Sequence, residues 1–313
     1  MSLLDWSRLI LLSVLWGGTF FLVEIALGDV GPFTIVLTRV ALAAAVLAAY
    51  CRIAGLGATW TPGLIAGLAV MGLINNAIPF SLITWGQTHI TGSLASIFNA
   101  TTPLFTVAVA HLWPGADKAT ALKLAGVAAG LAGVATLIGL GSLADLGGDV
   151  PGEIACLGAA LSYAVALVFA RRFRAVHPLV LSAGMLASAT VFMLPLAFAL
   201  ETPYRPFPPV SALAAMLALA VFAAAFAYYL YFSVLRSAGP TNASLVTFMI
   251  PASAILLGVA FLGEVVEPRH LAGLGLILLG LALVDGRLFR QRQTATPSRA
   301  PAVRRWWRGT RKL

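Results

Sequence analysis

A pattern of five apolar segments occurs twice in this 313-residue chain, with the second copy 147 positions after the first. Residues 15–17 align with residues 162–164 at that offset, and residues 124–126 align with residues 271–273. Each segment is long enough to cross a lipid bilayer as a helix, which takes about 20 apolar residues. Because five is an odd number, the second copy must enter the membrane from the opposite side. Inverted repeats of this kind form the halves of many secondary transporters.

The composition places these segments in lipid. Hydrophobic residues make up 60% of the chain, charged residues make up 10%, and the mean hydropathy is +0.95. Soluble domains are about 45–50% apolar and about 25% charged. The short alternating segments typical of membrane β-barrels do not occur. We therefore predict an all-α membrane protein with ten transmembrane helices, arranged as two inverted five-helix repeats. The predicted spans are 6–27, 32–52, 62–85, 91–113, 119–140, 151–172, 178–200, 208–236, 241–263 and 269–286.

These spans divide the chain into three parts. Residues 1–140 form the first repeat, residues 141–286 form the second, and residues 287–313 form a basic cytoplasmic tail. The first apolar stretch is full length and continues the repeat, so we interpret it as a span and not as a signal peptide. Cys51 and Cys156 fall near opposite faces of the membrane, and we expect both to be packing residues.

The basic residues lie mostly on one side of the predicted membrane. If the N-terminus is cytoplasmic, 17 lysines and arginines fall on that side, and only Arg205 and Arg269 fall on the other. Cytoplasmic loops are the ones enriched in these residues, so both termini are predicted to be cytoplasmic. The net charge of +9 is therefore a signal of orientation, and we expect no nucleic-acid partner.

The tail interleaves its basic residues with Trp306 and Trp307. Such a segment suits the anionic lipid of the inner leaflet, where each cation contributes about 1 kcal/mol. The alternative is a disordered tail that only fixes the orientation of the protein. Both interpretations make the lipid bilayer itself a partner.

Prolines interrupt hydrogen bonding in the middle of three predicted helices. A proline in a helix leaves the carbonyl four residues earlier without its backbone partner. Pro79 would free the carbonyl of Asn75 in this way. Pro103 would free the carbonyl of Asn99, and Pro251 would free a carbonyl in the same way in the second half. An unsatisfied backbone group costs several kcal/mol in hydrocarbon, so these positions need an explanation.

Polar and aromatic residues lie at similar depth in both repeats. One interpretation is that they form interhelical hydrogen bonds, worth roughly 1 kcal/mol each, with no ligand. The other is that they line a central cavity, polar but uncharged, whose aromatic wall Tyr228, Tyr229 and Tyr231 extend. We favour the cavity because both repeats contribute to it. The predicted substrate-binding residues are Trp16, Thr19, Asn75, Asn76, Pro79, Asn99, Pro103, Tyr163 and Pro251.

Two charged residues lie well inside the first two predicted spans. Glu24 lies about one turn inside the outer end of the first helix, and Arg39 about two turns inside the outer end of the second. Pairing would reduce the cost of burying either charge, so we expect a structural ion pair or an outer gate. The alternative is that Arg39 binds substrate. No lysine lies in the interior of a span, which disfavours phosphates and sugar nucleotides as substrates.

The titratable residues give no sign of an enzyme. The histidines fall in loops or at helix ends, without the spacing of metal ligands or of a catalytic triad. We expect no catalytic residue, no metal and no cofactor. Small-residue repeats such as Gly126-x-x-x-Gly130 permit close helix packing, but they do not determine an oligomeric state, and a monomer suffices.

The order of these motifs resembles the EamA-type branch of the drug/metabolite transporter superfamily. The resemblance covers about residues 7–286 and includes the repeated helix at the end of each half. Glu24 departs from the pattern, because many relatives have a basic residue there. Residues 113–117 depart as well, since they replace the family's Gly-Glu ending in the first repeat. The matching residues are Trp16, Gly17, Pro32, Arg39, Gly263 and Glu264.

The resemblance implies an exporter in the bacterial inner membrane that works by alternating access. Some members of the family, of the YddG kind, pass aromatic and other neutral amino acids. We expect small neutral or zwitterionic cargo, most of all amino acids. The alternatives are export of other metabolites or drugs, and a channel or lipid scramblase with the same fold. Proton antiport and facilitated efflux are both compatible with the sequence.

Overall fold

The computed structural model describes residues 2–113, 120–138, 149–243 and 245–285, and all secondary structure in these ranges is helical. The predicted basic tail and its contact with anionic lipid lie outside the described residues. A four-residue helix, Pro240–Ala243, precedes the ninth of ten longer helical stretches. These stretches are α1 (Leu3–Leu27), α2 (Pro32–Ile53), α3 (Pro62–Gly86), α4 (Gly92–Leu112), α5 (Ala121–Ile138), α6 (Val150–Phe173), α7 (Pro178–Leu200), α8 (Val210–Ala238), α9 (Val246–Leu262) and α10 (Pro268–Asp285).

Seven of these stretches are long and apolar enough to cross a membrane, namely α1 to α4 and α6 to α8. The other three, α5, α9 and α10, are apolar but shorter in the described residues. The protein is therefore an all-helical protein with several membrane spans. Cys51 and Cys156 are both buried and free, in agreement with their predicted role in packing.

Several stretches depart from regular α-helix near their middle. Five residues in α3, Leu73–Ala77, and six in α8, Val221–Phe226, form π-helical turns. These two turns lie at nearly the repeat offset from each other, so both halves contain one. A third π turn, Gly258–Leu262, ends α9, and α4 is interrupted between Asn99 and Thr102. Turns of this kind are frequent at functional sites.

The π turn in α3 changes which carbonyl Pro79 leaves free. Hydrogen bonds in a π turn span five residues, as the bond from the Ile78 amide to the Leu73 carbonyl shows. In this register the amide hydrogen that Pro79 lacks would have bonded the Ile74 carbonyl, one residue before Asn75, where the sequence predicted the free carbonyl. The Ser162 hydroxyl in α6 donates to the Ile74 carbonyl at 2.7 Å.

The carbonyl that Pro103 releases is also satisfied, but within its own helix. The hydroxyl of Thr102 donates to the Asn99 carbonyl at 2.7 Å. A similar bond joins the Thr101 hydroxyl to the Phe98 carbonyl at 2.6 Å. The interruption of α4 therefore exposes no backbone acceptor of Asn99 to lipid.

The helices pack in a pattern that is preserved when the two halves are exchanged. The helix α5 packs along α10, and α2 packs along α7. The helix α1 packs on α9, as α6 packs on the second segment of α4. The C-terminal segment of α3, Ile78–Gly86, packs on α6, as α8 packs on α1. Replacing each helix by the one five places away reproduces all of these contacts.

Glycines allow the close approach of α5 and α10. A methyl group on Gly126 would lie 2.6 Å from the Gly280 carbonyl oxygen, and one on Gly133 would lie 2.8 Å from that of Gly273. The offset of 147 positions converts each of these contacts into the other. Side chains larger than hydrogen would separate the two backbones, so the small-residue spacing serves the packing of the bundle.

Carboxylates of the second half cap helices of the first half at one end of the bundle, the end that the sequence analysis predicts to lie outside. Glu201, after α7, accepts hydrogen bonds from the backbone amides of Phe33 (2.9 Å) and Thr34 (2.8 Å) at the start of α2. Glu264, after α9, accepts one from the amide of Ser93 at the start of α4, at 3.1 Å. Negative charge is favourable at the positive end of a helix dipole.

Gly280 tests the close contact between α5 and α10. We expect Gly280→Ala to lower the free energy of unfolding by about 1–3 kcal/mol, because the added methyl group overpacks the contact with Gly126 and Gly130. Gly275 on the same helix has open space around it, so Gly275→Ala is the matched control and should not destabilise. Thermal unfolding in detergent micelles measures both, and equal melting temperatures would contradict this packing.

Glu201 tests the carboxylate caps. Glu201→Ala leaves two amides at the start of α2 without partners, and we expect a loss of about 1–3 kcal/mol in the free energy of unfolding. The control is Glu267→Ala, because the ion pair of Glu267 with Arg269 is 49% and 38% exposed and should contribute less than about 1 kcal/mol. Chemical or thermal unfolding of the purified variants measures both losses. A larger loss for Glu267→Ala than for Glu201→Ala would contradict the capping role of Glu201.

Candidate functional site

Four helices, two from each half of the chain, bring polar and aromatic side chains together inside the bundle. The helices α2 and α3 belong to the first predicted repeat, and α6 and α8 belong to the second. Tyr163 of α6 packs against two of the hydrophobic cores of the protein, so this group lies between them. We call the group the central cluster; it comprises Arg39, Asn75, Asn76, Phe80, Tyr163 and Tyr228.

The guanidinium of Arg39 is the charged member of the central cluster. The side chain is buried, with 8% of its surface exposed, and it lies over the ring of Phe80 at 4.0 Å from the centroid. The phenol groups of Tyr163 and Tyr228 are within electrostatic range of it. Among the described residues, no carboxylate lies within the 4.0 Å of a salt bridge to Arg39, and its Nε is buried without a hydrogen-bond partner. The charge is therefore held by aromatic groups and not by an acid.

The amides of α3 form the polar side of the cluster. Asn76 is fully buried, at 0% exposure, and neither its oxygen nor its nitrogen has a hydrogen-bond partner in the described part of the chain. The Tyr228 hydroxyl lies beside the Asn76 and Asn75 amides, outside hydrogen-bonding geometry for Asn76. Asn75 makes only a weak contact, from its Nδ2 to the sulfur of Met185 at 3.6 Å. Both amides therefore retain hydrogen-bonding capacity.

Aromatic rings extend the cluster along α8 to α1. Tyr228 stacks on Phe232 with centroids 6.3 Å apart, and Phe232 meets Tyr231 edge-on at 5.3 Å. Tyr231 in turn contacts the ring of Trp16 at 5.5 Å. The predicted wall residue Trp16 is thus connected to the amide group through rings of α8. Tyr229 stacks instead on Phe226, with centroids 6.3 Å apart.

The structure brings some of the predicted site residues together and leaves others apart. Asn75, Asn76 and Tyr163 belong to the central cluster, and Pro79 lies beside Phe80 in α3. In the described part of the chain, no hydrogen bond or ring contact joins the remaining predicted residues to the cluster. The Thr19 hydroxyl bonds to its own helix, at the Leu15 carbonyl. The residues left apart are Thr19, Asn99, Pro103 and Pro251.

Glu24 and Arg39 do not form the pair expected from their depth. The Glu24 carboxylate accepts a hydrogen bond from Nε2 of Gln87 at 3.1 Å, and the same nitrogen donates to the Phe20 carbonyl at 2.9 Å. Arg39 faces Phe80 instead. The expectation failed because equal depth in a membrane does not place two side chains on facing sides of their helices. Sequence reasoning missed both Gln87 and Phe80.

A separate pocket of about 270 Å³ lies at the end of the bundle that carries the Glu201 cap. It contains no residue of the central cluster. Within the described ranges, no three His, Cys, Asp or Glu side chains come together as metal ligands. The residues lining the pocket include Asp29, Thr34, Glu201, Tyr204 and Arg205.

Comparison with known proteins connects this geometry to a class of membrane carriers. The chain is 28% identical over 303 residues to the uncharacterized inner membrane transporter YedA of Escherichia coli K12, with 95% of each chain covered. It is 27% identical over 301 residues to the probable terminal-alkyne amino-acid exporter of Streptantibioticus cattleyicolor, covering 93% of this chain and 97% of that protein. Protein PecM of Dickeya dadantii is 26% identical, with 90% of this chain and 93% of that one covered. These relatives place the protein among multi-pass proteins of the inner membrane.

One solved crystal structure is similar to this protein, with a TM-score of 0.62 and 22% sequence identity. The similar region covers 90% of this chain and 96% of the chain in that structure. At that identity the likeness shows a shared fold and nothing about cargo. The model of the EamA-like transporter family matches residues 7–139 and again residues 150–285, one match in each predicted repeat. This chain therefore belongs to the EamA-like transporter family.

Proposed function

We propose that this protein is a secondary transporter of the bacterial inner membrane that exports small neutral or zwitterionic metabolites, above all amino acids, by alternating access. The central cluster is the observation that supports this most strongly. Its amides, phenols and rings can bind a small polar molecule, and helices from both halves of the chain supply them. Transporters built from inverted repeats bind their cargo at such an interface.

The proposal includes ten membrane-spanning helices in two inverted repeats, with both termini in the cytoplasm. Its support is the helix packing, which is preserved when the halves are exchanged, and the excess of basic residues on one side. The glycine contacts of α5 with α10 show the same exchange. An odd number of spans in each repeat then gives the two halves opposite orientations.

Alternating access requires contacts between the halves that can break at one end while they hold at the other. At the predicted outer end these are the carboxylates of Glu201 and Glu264 on the starts of α2 and α4. At the predicted inner end the hydroxyl of Ser237 in α8 donates to the carboxylate of Asp5 in α1 at 2.6 Å. In the proposed mechanism, rocking of the halves exchanges one set of contacts for the other.

The predicted site residues have distinct roles in this mechanism. Trp16 and Tyr163 supply apolar walls, and the amides of Asn75 and Asn76 supply hydrogen bonds to the polar groups of the cargo. Thr19 and the prolines Pro79, Pro103 and Pro251 shape the helices around it. The name of one relative, an amino-acid exporter at 27% identity over most of both chains, favours amino acids as cargo.

The test is uptake of labelled L-leucine and L-phenylalanine into proteoliposomes that contain the purified protein. We expect Asn76→Ala and Trp16→Ala to reduce the initial rate roughly 10- to 100-fold, because each removes a contact worth about 1–3 kcal/mol in a buried site. The smaller effect is expected for Trp16, whose ring is only half-buried.

Matched controls exist for both variants. The Trp60 side chain is 59% exposed, and the Asn242 amide, in the short helix before α9, donates to the Ala238 carbonyl at 2.8 Å. Trp60→Ala and Asn242→Ala should transport at the wild-type rate. Wild-type rates in Asn76→Ala and Trp16→Ala would show that the central cluster does not bind the cargo. Transport of other metabolites or drugs, but of neither amino acid, would refute the proposed cargo and would still support a carrier function.

A further inference from the structure

The central cluster contains a positive charge without a counter-charge. A guanidinium has five N–H donors, and Arg39 uses none of them within the described residues. Removing an ion of this size from water is unfavourable unless other groups compensate its charge. The face of the Phe80 ring, 4.0 Å away, attracts the cation but offers neither a negative charge nor a strong hydrogen-bond acceptor. The charge of Arg39 is therefore not balanced by the described residues.

The side chain of Asn76 also lacks hydrogen-bond partners, which is an observation separate from that on Arg39. Its oxygen and nitrogen are both buried and both lack a partner, although buried polar side chains nearly always have one. Asn76 and Arg39 come from different helices, yet Tyr228 lies within electrostatic range of both. Two groups of different chemistry, each with a buried atom that has no hydrogen-bond partner in the described residues, thus lie near the same phenol, and Arg39 lies over Phe80, four residues after Asn76. A ligand that satisfies both must offer acceptors to the guanidinium and to the amide nitrogen.

We propose that Arg39 and Asn76 bind a carboxylate of the cargo, so that a molecule without a carboxylate is not transported. This inference rests on the proposed function and narrows its substrate class. A carboxylate meets a guanidinium through two parallel hydrogen bonds, which a hydroxyl or amide cannot reproduce. The groups facing Arg39 from the other helices of the cluster are the neutral phenols of Tyr163 and Tyr228 and the ring of Phe80.

A single cation matches a single negative charge. Phosphates and dicarboxylates carry about two charges and would leave one of them unpaired in a site that holds one guanidinium. The amino group of an amino acid would find no acid in the cluster, since its members other than Arg39 are amides and aromatic residues. Tyr231 and Trp16, whose rings lie 5.5 Å apart, offer faces that attract an ammonium group. The arrangement therefore fits a monocarboxylate or a zwitterionic amino acid.

The experiment compares binding of eight matched compounds to the purified protein in lipid nanodiscs, measured by thermal stabilisation. Two amino acids, L-leucine and L-phenylalanine, are each compared with the carboxamide, with the amine that lacks the carboxylate, and with the acid that lacks the amino group. The last are 4-methylpentanoate and 3-phenylpropanoate. We expect the acids and amino acids to bind and the amides and amines to bind at least about 10-fold more weakly. Equal binding of amide and acid, or no binding by any acid, overturns the proposal.

Variants of Arg39 separate a binding role from a structural one. Arg39→Gln should weaken binding of the acids roughly 10- to 100-fold and abolish the preference over amides. Arg39→Lys keeps the charge and should keep part of the preference, because it loses only the two-pronged geometry. Arg52, exposed at the other end of α2, gives the control Arg52→Gln, which should bind as the wild type does.

The ligand-free melting temperature provides a readout that does not depend on the choice of cargo. A buried charge without a partner destabilises the empty protein, so Arg39→Gln should melt at the same or a higher temperature than the wild type. A large decrease would show that Arg39 is structural and would overturn the proposal. If the protein binds the acids selectively but transports no amino acid, the proposed cargo is refuted and the carboxylate site is kept. If an amino acid and its amide are transported at equal rates, the carboxylate site is refuted and the proposed cargo is kept.

Discussion

Hydrocarbon leaves a polar group no partner except another part of the protein, and this constraint explains the interior of the bundle. Each carbonyl or hydroxyl inside the membrane must be satisfied locally or cost several kcal/mol. Ser162 satisfies the carbonyl that Pro79 releases at Ile74, at 2.7 Å. Ser253 of α9 donates in the same way to the Ser13 carbonyl of α1, also at 2.7 Å. Nε of Arg39 and both polar side-chain atoms of Asn76 are among the buried groups of the described residues that have no such partner, and both residues belong to the proposed site.

The duplication of the chain explains where that site lies. Both halves contain a π turn at nearly equivalent positions, in α3 and in α8. The turn in α3 carries the amides of Asn75 and Asn76, and the helical segment after the turn in α8 begins with Ala227 and carries Tyr228. Tyr228 lies beside the Asn75 and Asn76 amides, so the helical stretches that contain the two π turns meet in the central cluster. A carrier that rocks about this interface opens the same site to each side in turn.

The sequence predicts the helical stretches well because apolar length is a strong signal, and each observed stretch overlaps one predicted span. It predicts contacts less well. The π turn in α3 cannot be read from periodicity, so the free carbonyl was assigned to Asn75 and not to Ile74. Depth along a span gave no information about rotation, so Glu24 was paired with Arg39, although Gln87 binds it. Aromatic neighbours such as Phe80 carry no distinguishing pattern in a chain that is 60% hydrophobic.

Counterflow in proteoliposomes tests the central claim, that two halves alternate around one site. Vesicles are loaded with unlabelled L-leucine and diluted into a trace of labelled L-leucine, and the label inside is followed with time. The account predicts that the label transiently accumulates above its equilibrium level and that the initial rate saturates with concentration, because each crossing requires the site to be occupied. Flux that rises linearly with concentration and shows no transient accumulation would contradict it and would indicate a channel or scramblase.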